Sequence, residues 1–390
     1  MIPSPKGPLP HVTVAARKPR LLIVGPLPPP VGGVETFTQA ILESSEFAPF
    51  DVAHCDTTKR RAKSSQGRFD ALNFGWAFVH FWRLLRDSGR FHPDVVYIPI
   101  AGTLSGVLRD VALGALARRS GALVIGHQHD GEIHDVLARG GLVARIVRAG
   151  LAQFDSMLVL GEHWRVMFEA YGLGCPIAVC PSTARPEVFE RGAAFTRAGR
   201  AEPPVRALFV GQVGRRKGVY DLVRAMKRLR DDAVPIELTV VGPSEQPGQL
   251  EAVQALCAEL SLEGRVRFTG SLTGEALYEQ FRTHDLFVLP SYTEGLPVVL
   301  LEAGAFELPP VTTPVGSIPS LIRDGENGLL VPAGDADALA AALRKLVADA
   351  GLRARLGARL KQDIQPFHPD RVSARIVQAV KELLARKGRA

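Results

Sequence analysis

Short apolar runs that stop abruptly at a turn former and hand over to a helical pattern recur along this chain, and they restrict its fold more than any other feature. The clearest are RLLIVG (20–25), DVVYI (94–98), LVIG (123–126), ALFVG (207–211), LTVVG (238–242) and LFVLP (286–290). Each has strand length, and apolar residues on both faces mark strands of a parallel sheet covered by helices. Further strands are expected near 50–54, 156–160, 177–180, 266–268 and 311. Helical periodicity occupies 36–42, 104–119, 142–151, 219–229, 250–260, 275–281, 337–348 and 371–385. Such alternation predicts an α/β fold.

A chain of 390 residues exceeds what one core usually supports. The strand-helix pattern restarts at 207, after a stretch from 183 to 204 that is rich in Ala, Arg, Gly, Glu and Pro and has little period. The expected division is a disordered leader at 1–18, a first α/β domain at 19–185, a linker at 186–204, a second α/β domain at 205–366 and a C-terminal helix at 367–390. No apolar run is long enough to span a bilayer. The leader carries Pro3, Pro5, Pro8 and Pro10 without the apolar centre of a secretion signal. Cys55, Cys175, Cys180 and Cys257 form no CxxC pair, so free thiols in a reducing, cytoplasmic setting are expected. The net charge of +7 permits nucleotides, nucleic acid or an acidic membrane as partners and selects none of them.

Functional groups in open α/β sheets gather beyond the carboxyl ends of strands, and four such places carry chemistry here. Gly32 and Gly33 precede a helix and admit either close approach of a ligand or merely a tight turn. His127, His129 and Asp130, with His134 further on, leave two readings: a metal site, or one histidine at a reacting group while the other packs. In GQVGRRKG (211–218), Lys217 stands just before a helix start, where an ammonium and backbone N–H groups can share a phosphate. Arg215, Arg216 and Lys217 are equally consistent with an exposed basic turn. The Walker spacing is absent, which removes support for an ATPase or GTPase.

The fourth place is PSYTEGLPVVLLE (290–302). Pro297 stands at a helix start, Glu294 at its mouth, and Glu302 about 7.5 Å further along the axis. The unpaired N–H groups and dipole of that start suit a diphosphate, so Glu294 is expected to point sideways at hydroxyls. Glu302 lies among Val298, Val299, Leu300, Leu301 and Ala303. A buried carboxylate is costly without partners, and a vicinal diol would supply them. Two glutamates at this spacing also arise by chance.

A separate stretch combines Lys59, Arg60, Arg61 and Lys63 with Phe74, Trp76, Phe78, Phe81, Trp82, Leu85, Arg83 and Arg86. It reads as a core-facing helix with a solvated basic loop, or as a foot on anionic lipid or a cradle for a lipid-linked acceptor. The first reading is preferred because the apolar residues do not form one clean face.

Taken in order, these segments resemble glycosyltransferase family 4, retaining sugar-nucleotide transferases of the GT-B fold. Gly32 and Gly33 match the family's N-terminal glycine loop, and His129 its active-site histidine segment. Gly211, Lys217 and Gly218 match its phosphate segment. Glu294, Gly295, Pro297 and Glu302 match its EGxP…E signature, and VGSIPSLIRDGENGLLVP (315–332) resembles the family's next segment. The resemblance implies two Rossmann-like domains facing across a cleft, and catalytic roles at His129 and Glu294. It implies donor contacts from Gly32, Gly33, Gly211, Arg216, Lys217, Gly295, Leu296, Pro297, Val298 and Glu302, with Glu302 on the ribose and Lys217 on the diphosphate. Two departures stand out. Gln212 replaces a common arginine, so that Arg215 or Arg216 must substitute, and Ser320 replaces a frequent glutamate.

The expected activity is transfer of a sugar from a UDP- or GDP-sugar to a saccharide or lipid-linked saccharide, with no metal, no further cofactor and no nucleic acid. The expected place is the cytoplasm, with a peripheral contact on the inner face of the membrane. Rival readings are a nucleotide-sugar epimerase or isomerase on the same fold, a metal hydrolase built on the histidines, and a non-catalytic nucleotide-sugar binding protein.

Overall fold

The computed structural model describes residues 17–29, 32–58, 71–129, 132–197 and 203–388. The first domain runs β1 (Arg20–Gly25), α1 (Gly33–Leu42), β2 (Asp51–Asp56), α2 (Ala71–Phe91), β3 (Val95–Ile100), α3 (Leu104–Arg119), β4 (Leu123–Gln128), α4 (Glu132–Ala138), α5 (Gly141–Leu151), β5 (Ser156–Val159), α6 (Glu162–Ala170) and β6 (Ile177–Val179). Its strands form one sheet in the order β2-β1-β3-β4-β5-β6, with parallel pairing throughout. Only the β1-to-β2 connection runs one way across the sheet. Right-handed crossovers therefore place α2, α3, α5 and α6 on one face and α1 alone on the other. Alternate strand residues follow suit: Leu22, Val24, Val96 and Val124 pack with α2, α3 and α5, while Leu21, Ile23, Tyr97 and Ile125 point the opposite way.

The second domain repeats the plan. It contains α7 (Pro186–Ala193), β7 (Val205–Val210), α8 (Val219–Asp231), β8 (Ile236–Val241), α9 (Gln249–Glu259), β9 (Val266–Gly270), α10 (Glu275–Thr283), β10 (Leu286–Leu289), α11 (Val298–Ala305), β11 (Pro310–Thr312), α12 (Ile318–Leu321), β12 (Leu329–Leu330), α13 (Ala336–Ala348) and α14 (Ala350–Asp363). Its parallel sheet has the order β12-β11-β10-β7-β8-β9. The last helix, α15 (Pro369–Arg386), returns to the first domain. Val372, Ile376, Val380 and Leu383 make one apolar stripe that packs with Leu21, Ile23, Phe37 and Ile41. It thereby covers the sheet face that α1 leaves bare.

Residues 186–197 of the expected linker are structured and packed on the second domain. Gly192 lies against the end of α11. The Arg197 guanidinium donates to the carbonyls of Phe281 and Phe306, each at 2.7 Å, and to that of His284. These carbonyls lie at the ends of α10 and α11, where backbone acceptors lack helical partners. Burial lowers the Arg197 pKa to about 10, against the pull of Asp285 and Glu307. Residues 1–16 of the expected leader lie outside the described residues. Its last two are fastened, Arg17 to Asp94 at 2.9 Å and Lys18 to the Ala48 carbonyl at 2.9 Å. The basic cluster from Lys59 to Lys63 also lies outside the described residues. The preferred reading of the next helix as core-facing holds on one side: α2 buries His80, Leu84 and Ser88 and packs Phe81 and Phe91 on the core, while Phe78, Trp82 and Leu85 face solvent.

Candidate functional site

The loop after β7 and the loop after β10 are pressed together by a glycine. Gly218 caps α8 with φ of 68°, and a Cβ there would collide with the carbonyl oxygen of Pro290. The Tyr292 amide donates to the Arg216 carbonyl at 2.9 Å, completing the seam. This contact brings Lys217 onto Glu294. The Lys217 ammonium pairs with Glu294 Oε1, and Ser291 Oγ donates to the same oxygen at 2.7 Å. Glu294 is buried and the Lys217 side chain is 14% exposed, so the two charges neutralise each other in a poorly hydrated place. Ser291 carried no signal on its own. Its spacing of three residues from Glu294 within one turn suits a local side-chain bond.

Helix α11 starts immediately beyond. Pro297 is its N-cap, and in its opening turn the Leu300 amide donates to the Pro297 carbonyl at 3.0 Å. The amides of Gly295, Leu296, Val298 and Val299 donate to no other group among the described residues. Leu296 itself is buried under the loop. Glu302 lies deeper on the same helix and stays half-buried. Desolvation pushes its carboxyl up to about 7, against a smaller opposing pull from Arg185. Arg185 is engaged elsewhere, donating to the Tyr278 hydroxyl at 2.6 Å and standing 3.6 Å from Glu187. Glu302 has no ion pair among the described residues.

The first domain meets this loop with the ends of β4 and β5. A Cβ on Gly295 would come within 2.5 Å of the His129 carbonyl oxygen and 2.8 Å of Leu160, so only glycine allows this approach. Gly161 faces Ser317 and Ser320 less tightly, a Cβ there lying 3.0 and 3.6 Å from their hydroxyls, and the Ser317 amide donates to the Gly295 carbonyl at 2.7 Å. The small side chain of Ser320 thus stands at the seam between the domains, its hydroxyl donating to the Ser317 carbonyl at 2.6 Å.

The two histidines separate cleanly. His127 is wholly buried; its Nε2 donates to the Cys180 carbonyl at 2.8 Å and its Nδ1 accepts from the Tyr97 hydroxyl at 2.5 Å. Both ring nitrogens are used, and burial lowers its pKa to about 4, so it is a packed neutral imidazole. His129 packs on Phe37 with ring centroids 4.5 Å apart and on His127 at 4.2 Å. Burial, then the neighbouring His127, holds it well below the usual histidine range, and its Nε2 is buried without a partner. Asp130 lies outside the described residues. Among the described residues no three His, Cys, Asp or Glu side chains gather as metal ligands would.

The remaining expected donor contacts are spread around this centre. Gly32 is the N-cap of α1, and Gly33 opens that helix with free space where a side chain would stand. Gly211 ends β7 against Gly242. Arg216 is occupied by Glu245 at 2.8 Å and by Gln212 Oε1 at 3.0 Å. The Gln212 departure therefore has a structural counterpart: the glutamine holds the arginine that was expected to stand in for it. Arg215 is exposed with its guanidinium 4.8 Å from the Tyr220 ring.

Residues 190–363 match the family described as glycosyl transferases group 1. A D-inositol 3-phosphate glycosyltransferase of Stackebrandtia nassauensis is 38% identical over 191 residues, which is 47% of this chain and 43% of that protein. The matched stretch thus spans about half the length of the curated relatives. Sucrose-phosphate synthase of Thermosynechococcus elongatus superposes with a TM-score of 0.76 at 20% identity, covering 95% of this chain and all of that one. HepE of Anabaena, solved with UDP-glucose, superposes with a TM-score of 0.69 at 14% identity, covering 93% and 99% of the two chains. At these identities the structures establish the GT-B fold, two Rossmann-like α/β domains facing across a cleft.

Proposed function

We propose, from a second domain that belongs to the group 1 glycosyl transferases, that this chain moves a sugar from a nucleotide diphosphate sugar to an acceptor hydroxyl. The observation that carries the reading is the Lys217–Glu294 pair at the open start of α11. The diphosphate takes the ammonium and the amides of Gly295, Leu296, Val298 and Val299. Glu294, released from the lysine and still held by Ser291, then accepts bonds from sugar hydroxyls. As the glycosidic bond breaks, charge grows on the leaving diphosphate. Lys217 and the helix start stabilise it more in the transition state than before, without a metal. Glu302 receives the ribose diol. His129, whose carbonyl oxygen meets the donor loop from the first domain, would offer its buried, unpartnered Nε2 to a hydroxyl of either sugar. Retention of configuration and a saccharide acceptor, carried on lipid at a membrane surface, complete the proposal. UDP-glucose, the ligand of HepE, is the first donor to try.

Melting the protein with UDP-, GDP- and ADP-sugars tests the donor. Ligand at about a hundred times Kd stabilises by about 2.7 kcal/mol, roughly 5–10 °C for a domain of this size. Lys217→Ala is expected to lose most of that shift, while Glu294→Gln keeps binding and loses transfer. If every nucleotide sugar leaves the melting temperature unmoved, or Lys217→Ala binds as the parent does, the proposal fails. Donor binding without turnover on any acceptor identifies a binding protein instead, and sugar conversion without acceptor identifies an isomerase.

A further inference from the structure

We propose that the outer face of the α2, α3 and α5 layer docks on an anionic lipid bilayer. This deepens the reading of a lipid-carried acceptor and depends on it only for its biological purpose. Helix α2 exposes Phe78, Trp82 and Leu85, spaced four and three residues apart on one stripe, with Phe78 74% and Trp82 55% exposed. Helix α5 exposes Leu142, Val143 and Ile146, with Leu142 71% exposed. Between them lies α3, packed against both and exposing Leu108. Among the described residues the second domain exposes a single large apolar side chain, Tyr292. This asymmetry is not what scattered surface apolar residues produce.

Charge selects the occupant. Helix α5 carries Arg145 and Arg148 beside its apolar stripe and no acidic residue. On α2, the Arg86 guanidinium lies 5.2 Å from the Trp82 ring while also bonding Asp87, and Arg83 is turned to Asp56 at 3.6 Å, so among the described residues the unpaired charge of this face is that of α5. Apolar side chains with flanking arginines on helices lying along one surface match the interface of an anionic membrane. A second copy of the chain fits less well, because a two-fold contact through this face would set arginine against arginine. Docked this way, the first domain rests on lipid and the donor-binding domain remains in water.

The test is sedimentation of the full chain with vesicles of phosphatidylcholine alone or with phosphatidylglycerol, at low and high salt. Binding is expected only with phosphatidylglycerol and to weaken at high salt. The tryptophan emission should shift to the blue, and this shift should be lost when Trp82 is replaced. Arg145→Ala with Arg148→Ala should weaken binding about 25-fold, roughly fivefold for each arginine. Phe78→Ser with Trp82→Ser, and Leu142→Ser with Ile146→Ser, should each weaken it more than tenfold. All three pairs should keep the parental melting temperature and donor-induced shift, so failure here is distinct from failure of the transferase reading. Equal binding to both vesicle types, no binding to either, or variants that bind like the parent would overturn the proposal. So would a concentration-dependent dimer, or capture of a protein partner, that the same substitutions abolish while vesicles are ignored.

Discussion

Glu302→Gln should make the ligand-free protein more stable, and only at neutral to alkaline pH. The carboxyl is pushed from its ordinary 4.5 to about 7 in the folded chain, chiefly by desolvation. Below 4.5 it is protonated in both folded and unfolded states, and folding is at its full strength with respect to this group. Between 4.5 and 7 the folded state alone keeps the proton, so stability falls as pH rises through that window and stays reduced above it. At about 1.4 kcal/mol per decade the loss is about 3 kcal/mol. The residual exposure of Glu302 and the nearby Arg185 favour a value toward about 2 kcal/mol. Glutamine keeps the shape and has nothing to ionise. The variant should therefore match the parent near pH 4.5 and exceed it by roughly 2–3 kcal/mol at about pH 8. Trp76, Trp82 and Trp164 all lie in the first domain, so urea unfolding should be followed by far-ultraviolet circular dichroism, at pH 5, 6, 7 and 8. A loss of stability at pH 8 would show that Glu302 is held as a paired ion, and a gain that does not change with pH would show that its ionisation is not the cause; either result refutes the reasoning. Such a gain also has a functional meaning: a carboxylate kept where it destabilises the fold is retained for what it binds.

Two further substitutions probe the scaffold. Gly218→Ala must hold alanine at φ of 68° and against the Pro290 carbonyl, so it should cost roughly 2 kcal/mol or more and spread the Lys217–Glu294 pair. Loss of the donor-induced melting shift should accompany it, and a stable variant with normal donor binding would contradict the seam between the two loops. Arg197→Ala strands the carbonyls of Phe281, His284 and Phe306 and should destabilise by roughly 2–4 kcal/mol in urea unfolding. Arg197→Lys should recover little, because one ammonium cannot reach three carbonyls as the guanidinium fork does.

The two sheets were largely legible in the sequence because strands buried on both faces are written as unbroken apolar runs, and their carboxyl ends then mark where Gly211, Lys217, His129 and Glu294 must lie. Helices were less legible. Those at 162–170, 186–193 and 350–363 are poorly marked: EHWRVMFEA has five apolar residues in nine but charges interrupt them, and AGLRARLGARLKQD shows its stripe only as Leu352, Leu356 and Leu360 set among arginines. Partnership was not legible at all. Lys217 and Glu294 stand 77 residues apart, and nothing in either loop announces the other. Arg216 could be read as a charge but not as the partner of Glu245. In α2 two apolar faces, one buried and one exposed, blur each other in any pattern search.

The destination of α15 was hidden for the same reason, because an amphipathic helix declares that it covers something without declaring what. Its return to the first domain means that the chain crosses between domains twice, once near 183 and once near 367. The crossings are tied: Thr183 Oγ1 donates to the Phe367 carbonyl at 2.7 Å, and the Phe189 and His368 rings stand 5.0 Å apart. A rotation that opens or closes the cleft must bend both crossings together at this point. Such a rotation must also part or press the contacts where Gly295 meets His129 and Ser317 meets Gly161. The donor loop therefore feels any bend at the tied crossings through its contact with the first domain.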